Sequence, residues 1–160
     1  MDRKDLVRST TMEINWEQQK VISNPLRSNI IALLFEQAMT PKQTADLLGK
    51  NPGTIYYHIQ QLMKHDILEV ESVNTDKGVV EKYYRAKAIN FENPDQKKDY
   101  VDGRSVNIYL SQKLLEQFSE ELHELLFKYG HLSFKEKDSE EQSPYTVEYQ
   151  IKEYKEEEGE

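Results

Sequence analysis

Three times between residues 24 and 52 a helix-capping side chain is followed at once by proline: Asn24-Pro25, Thr40-Pro41 and Asn51-Pro52. No other pattern constrains the chain as much. An Asn or Thr cap accepts hydrogen bonds from the free N–H groups that open a helix. Proline suits the first helical turn, because the N–H it lacks has no partner there anyway. Starts this close together leave room only for short helices joined by tight turns. The first predicts a helix through about Gln37, in which Leu26, Ile30, Leu33 and Leu34 keep helical spacing with Ile31 and Phe35 flanking. The second, with Gln43 at the capping-box position, predicts a short helix whose Ala45 and Leu48 face inward. Gly49 ends it in the left-handed conformation. The third predicts a helix with Ile55, Ile59 and Leu62 as its buried stripe, and with Thr54, Tyr56, Tyr57, Gln60, Gln61 and Lys64 opposite. One more helix precedes these, capped by Asn15 with Gln18 at the box position, ahead of Trp16 to Ile22.

After the third start the hydrophobic period changes to two. Leu68 to Val73 alternates, Asn74 to Gly78 reads as a turn, and Val79 to Tyr84 alternates again, which predicts a β-hairpin. Tyr83-Tyr84 is expected to lie half in the core and half on the surface. Residues 91–103, with Asn93-Pro94, read as a linker. Val106, Ile108 and Leu110 alternate with polar residues and predict a short strand. Ser111 caps a predicted helix from Gln112 to Tyr129 that Gly130 ends. Its Leu115, Phe118, Leu122, Leu125 and Tyr129 step by 3, 4, 3 and 4, the spacing of a coiled-coil seam, and Leu114 and Leu126 widen the apolar face. Tyr145, Val147, Tyr149 and Ile151 predict one more strand. The organisation expected is an N-terminal extension over 1–14, a domain of short helices and a hairpin over 15–90, the linker, a strand and long helix over 104–134, and an acidic region over 135–160.

Charge follows the same division. The net charge of -8 splits into -1 over residues 1–19, +2 over 20–90, -3 over 91–134 and -6 over 135–160. The acidity belongs mostly to the C-terminal region, and Glu153 to Glu160 reads as a solvated charge block. With no cysteine in the chain, disulfides, thiolate metal sites and thiol catalysis are excluded. No apolar run is long enough to span a membrane and none opens the sequence as a signal peptide, so a cytoplasmic protein is expected.

A short helix, a glycine turn, a second helix with one polar face and then a hairpin is the order of a winged helix-turn-helix. Over Asn24 to Ala86 the chain resembles arsenical-repressor-like (ArsR-like) bacterial transcription regulators. The stretches that carry the likeness are Ser23-Asn-Pro-Leu-Arg27 with Ile30-Ile-Ala-Leu-Leu34, then Ala45-Asp-Leu-Leu-Gly49, Asn51-Pro-Gly-Thr-Ile-Tyr-Tyr-His-Ile59, and Glu81-Lys-Tyr-Tyr-Arg85. The fold expected is mainly α with a β-hairpin wing, plus a C-terminal dimerisation helix flanked by short strands. The resemblance implies a homodimeric regulator, in the first instance a repressor, that binds double-stranded DNA at an inverted repeat. It implies recognition through Thr54, Tyr56, Tyr57, Gln60, Gln61 and Lys64, with Lys42, Thr44, Lys50, Asn51 and Gly53 around the turn and Lys77 at the wing tip near phosphates. Trp16, Leu115, Phe118, Leu122, Leu125 and Tyr129 are the candidate dimer residues.

The recognition face departs from the commonest pattern in having no arginine, the usual reader of guanine. That keeps open the alternative of a protein–protein module that does not bind DNA. An effector, small molecule or protein, is also left open. No cofactor or metal is expected: Glu120, His123, Glu124 and His131 fit no ligand spacing, His58 reads as a core-edge or phosphate-contacting residue, and His65-Asp66 as a local helix-end interaction. Catalysis is not expected either, because the chain has no glycine-rich phosphate loop and no nucleophile elbow.

Overall fold

Each of the four capped starts before residue 60 opens a helix in the computed structural model, which describes residues 10–97, 99–136, 138 and 140–155. The chain divides into two units, 1–108 and 109–160. In the first, α1 is Trp16–Ile22, α2 Pro25–Glu36, α3 Pro41–Leu48 and α4 Pro52–Lys64. The capping boxes form in both directions. Asn15 Oδ1 accepts from the Gln18 N–H at 2.8 Å while Gln18 Oε1 accepts from the Asn15 N–H at 3.0 Å. Thr40 and Gln43 repeat the exchange at 3.2 and 3.1 Å. Gly49 closes α3 at φ +61°, and a Cβ built there meets nothing within 4 Å. Backbone conformation, not lack of space, is therefore what favours glycine at this turn.

The core lies where α2, α3 and α4 meet the base of the hairpin. Ile30, Leu34, Ala45, Ile55, Ile59, Leu62, Ile67 and Leu68 are all buried there. The hairpin pairs β2, Leu68–Asn74, antiparallel with β3, Glu81–Ala86, with an irregularity between Val70 and Ser72. Its tip is a 3-10 turn at Asp76–Gly78, with Lys77 at φ +65°. The outgoing strand starts later than its alternation suggests, leaving Val79 and Val80 exposed in the loop. Tyr84 is buried and Tyr83 half-buried, as the sequence indicates. Met39 exchanges backbone hydrogen bonds with Tyr84 at 3.1 and 2.9 Å, so the α2–α3 connection becomes a third rung beside the wing. Arg85 fastens the same strand, donating to the Phe35 carbonyl at 2.9 Å and to Glu71 at 2.7 Å.

The domain also reaches beyond its expected limits. Residues Thr11–Glu13 form β1, which pairs in parallel with β4, Asn90–Glu92, and Ile14 continues the ladder by donating to the Glu92 carbonyl at 2.8 Å. Three-residue strands carry too few positions to show a period, which is why neither was anticipated. Part of the 1–14 extension thus belongs to the fold, and residues 1–9 lie outside the described residues. The 91–103 linker is likewise anchored at its start. Phe91 and Glu92 sit in β4, and the buried Asn93 donates to Gln19 Oε1 at 2.8 Å.

The second unit is built on α5, Gln112–Glu136. Ser111 Oγ accepts from the Leu114 N–H at 3.2 Å at its start. The helix does not stop at Gly130 as expected. A glycine terminates a helix by taking positive φ; Gly130 does not, so it stays helical and α5 runs about two turns further, to Glu136. No residue of α5 is buried. The predicted strands at 105–110 and 145–151 do not form. Their alternation is real, but a strand exists only by pairing, and among the described residues neither segment pairs with another. Of the acidic block, 153–155 is exposed and irregular, and 156–160 lies outside the described residues. No helix among the described residues is long and apolar enough to cross a membrane.

The two helix-associated glycines predict opposite responses to alanine. Gly49→Ala should lower the stability of the domain by about 1–2 kcal/mol, the cost of left-handed backbone for an L-residue. Gly130→Ala should raise the stability of α5 by about 1 kcal/mol, because an exposed helical interior prefers alanine. Urea melts followed by circular dichroism check both signs.

Candidate nucleic-acid interface

The stripe Ile55, Ile59 and Leu62 faces the core at zero exposure. Since α4 is amphipathic, burying this stripe turns the opposite face outward. Thr54, Tyr56 and Tyr57 are exposed on its first two turns, the two tyrosines at 53% and 55%. Gln60 and Gln61 are half-buried further along, and Lys64 is exposed at the end. Gly53 lies exposed at the helix start, where Asn51 Oδ1 accepts its N–H at 2.8 Å. The cap thereby ties up the Asn51 carbonyl oxygen. Lys42 and Lys50 are exposed on either side of α3, and Lys77 is exposed at the wing tip.

One expected contact has to be withdrawn. Thr44 is fully buried at 0% exposure, with its hydroxyl donating to the Thr40 carbonyl at 2.9 Å. It sits on the inward face of α3 beside Ala45, so it packs the helix-turn-helix and cannot meet a phosphate. Gln60 is also less free than its position suggested. Its Nε2 donates to the hydroxyl of Tyr84 at 3.3 Å, which links α4 to the wing strand.

Sequence reasoning missed the polar tie behind this face. Arg27 is 6% exposed; its Nε donates to His58 Nδ1 at 3.1 Å and its Nη1 to the Val21 carbonyl at 3.2 Å. One guanidinium thus joins the end of α1, helix α2 and the middle of α4. Accepting at Nδ1 leaves His58 to carry its ring proton at Nε2. The ring of Tyr57 packs edge-on against His58, with centroids 5.3 Å apart. A signal for this was present: Arg27, Ile31 and Leu34 step by four and three, which puts an arginine in a core row. His58 is the core-edge residue of the two readings given for it. His65 makes a helix-end contact, its Nδ1 lying 2.9 Å from the Gln61 carbonyl, and Asp66 takes φ +60° beside it. Among the described residues no group of three or more His, Cys, Asp or Glu side chains could hold a metal ion.

The candidate dimer residues are mostly at the surface. Trp16 is exposed in the first unit. In the second, Leu115 and Leu122 are half-buried, while Phe118, Leu125 and Tyr129 are exposed. Phe127, Gly130, His131 and Phe134 line a separate apolar groove near the end of α5.

This fold, three helices with a tight turn before an outward-facing helix and a hairpin after it, is a winged helix-turn-helix. Residues 22–71 match the family described as a helix-turn-helix domain. Among solved structures, the chain is similar to the transcriptional repressor BigR from Xylella fastidiosa. That match has 18% identity and a TM-score of 0.37, and covers 44% of this chain and 64% of BigR. It is also similar to the homodimeric winged helix-turn-helix DNA-binding domain of Mb0332 from Mycobacterium bovis, with 24% identity, 55% and 73% coverage and a TM-score of 0.40. A third similarity is to the adhesin competence repressor AdcR from Streptococcus pyogenes, at 19% identity, 72% and 67% coverage and a TM-score of 0.35. No curated protein matches the chain.

Arg27 yields the prediction for this site. Arg27→Ala should destabilise the domain by about 2–3 kcal/mol, because it leaves the Val21 carbonyl without its donor and opens a gap between three helices. Arg27→Lys should recover only part of this, since a single ammonium cannot span both partners. Thermal melts of the two variants check the order.

Proposed function

We propose that the chain is a sequence-specific DNA-binding regulator of transcription that acts as a homodimer on an inverted-repeat operator. One observation carries the DNA-binding reading. The burial of Ile55, Ile59 and Leu62 leaves the N-terminal turns of α4 outward, with no acidic side chain on them and with Lys42 and Lys50 exposed beside the turn. A recognition helix reads base edges from its N-terminal half, and its cap and flanking lysines meet the phosphates. Thr54, Tyr56, Tyr57 and Gln60 are the readers in this proposal, with Gln61 and Lys64 further along the groove. Lys42, Lys50 and Lys77 supply phosphate contacts.

The dimer reading rests on α5. A helix of 25 residues with none buried, carrying the row Leu115, Phe118, Leu122, Leu125 and Tyr129, leaves unburied in a single chain an apolar face of the kind that packs in a coiled coil. Trp16 is a second exposed apolar site open to a partner copy. A symmetric dimer that reads two half-sites one duplex turn apart, about 34 Å, requires an inverted-repeat operator. Occupying such an operator blocks other proteins from it, the simplest route to repression.

A second reading keeps a specific observation in its favour. The exposed face of α4 is aromatic, Leu47 beside it is 64% exposed, and residues 20–90 carry a net charge of only +2, all of which suit a protein partner. Salt separates the two. Duplex affinity of a DNA binder falls linearly with log salt, and Lys50→Ala should reduce that slope by about 1. Tyr56→Ala and Gln60→Ala should weaken operator binding at least tenfold with little change in thermal stability. Leu122→Glu together with Leu125→Glu should give a monomer in sedimentation. Operator affinity unmoved by the Tyr56 and Gln60 changes would overturn the placement of the interface.

A further inference from the structure

We infer that the half-site this surface reads is A·T-rich, recognised chiefly through thymine methyl groups and adenine edges; this rests on the DNA-binding reading above. The reason is what α4 offers and what it lacks. From Pro52 to Met63 the helix has no Arg, Lys, Asp or Glu, and its one ionisable imidazole, His58, accepts a hydrogen bond from Arg27. Guanine is read mainly by Arg or Lys donating to O6 and N7, and the cytosine amino group mainly by Asp or Glu. Neither chemistry is present on the N-terminal turns that read base edges; Lys64, the one cation of the helix, stands at its last residue. The arginines near it are committed as well, Arg27 in the core and Arg85 to Glu71 and the Phe35 carbonyl.

What remains is suited to the other pair. The methyl of Thr54 and the rings of Tyr56 and Tyr57 put apolar surface where the thymine C5-methyl lines the major groove. More than half of each tyrosine is exposed, and the ring of Tyr57 is set by its edge contact with His58. The same His58 is fixed by Arg27, so the methyl-reading surface is organised before DNA arrives. Gln60 provides the amide that pairs with adenine N6 and N7. The Tyr84 hydroxyl, accepting from its Nε2, holds that amide in one orientation while leaving Oε1 and the second Nε2 hydrogen to the base. Tyr84 is therefore a positioning residue for base readout, although it is 4% exposed and touches no DNA itself.

The test uses the full chain and a pool of random duplexes, selected by retention and then measured by fluorescence anisotropy. Selected half-sites should be rich in A·T at their central positions. Replacing thymine by deoxyuridine there removes only the methyl and should weaken binding about fourfold for each methyl contacted. Tyr57→Phe should keep that sensitivity and Tyr57→Ala should lose it. Tyr84→Phe should narrow the gap between adenine and its 7-deaza analogue while leaving salt-dependent, non-specific binding unchanged. Selected half-sites rich in G·C, or affinity indifferent to deoxyuridine, would overturn this inference and leave DNA binding standing. Retention of no duplex at low salt would overturn the DNA-binding reading and this inference together.

Discussion

Burial of one aliphatic stripe on α4 orders the rest of the first unit. Ile55, Ile59 and Leu62 are held at zero exposure between α2, α3 and the base of the wing. Because a helix is rigid, fixing three positions on one side fixes the direction of every side chain on the other. The polar face of α4 is therefore an outcome of core packing. Its residues project outward with little freedom, and that is what a surface reading base edges needs. The chain makes the turn before α4 tight with Gly49 and opens α4 with Asn51 and Pro52, so the stripe enters the core in one register only.

Arg27 adds a polar constraint to the apolar one. A buried guanidinium is tolerated only when its donors are used, and here they reach the last turn of α1 and the middle of α4. A core built from aliphatic contacts alone allows small slides between helices. Two directed hydrogen bonds from one planar group resist them. The wing is held in a comparable way. Arg85 bonds to a carbonyl at the end of α2, the Met39 rung joins β3 to the α2–α3 connection, and Tyr84 reaches back to Gln60. The surface proposed to meet DNA is supported from below at both the helix and the hairpin.

The second unit shows the opposite situation. Nothing on α5 is buried, yet Leu and Phe recur along it at regular helical spacing, and irregular segments with alternating apolar residues flank it. Local preference suffices to make the helix, since its interior is rich in Leu, Glu, Gln and Lys. It does not suffice to cover it. Such a face is stable in water only when something packs on it, and the proposed second copy meets that need. The same lack of partners explains why 105–110 and 145–151 do not pair as strands.

Helix starts, and the stop at Gly49, were legible in the sequence because they depend on neighbours within four residues; the stop expected at Gly130 was not, since a glycine ends a helix only where it takes positive φ. Asn15, Asn24, Thr40, Asn51 and Gly49 act on backbone groups next to them, and each does in the structure what its local chemistry dictates. The buried stripe of α4 was legible for the same reason, as a period within one element. Contacts between elements were not. Nothing near Thr44 in the chain separates its buried hydroxyl from an exposed one, and nothing near Arg27 announces His58 thirty-one positions away. The sequence by itself determined where the helices and the wing lie and which face of α4 is apolar. Only the tertiary structure decided which polar side chains are left at the surface, because that depends on which distant backbone and side-chain groups take up their hydrogen bonds.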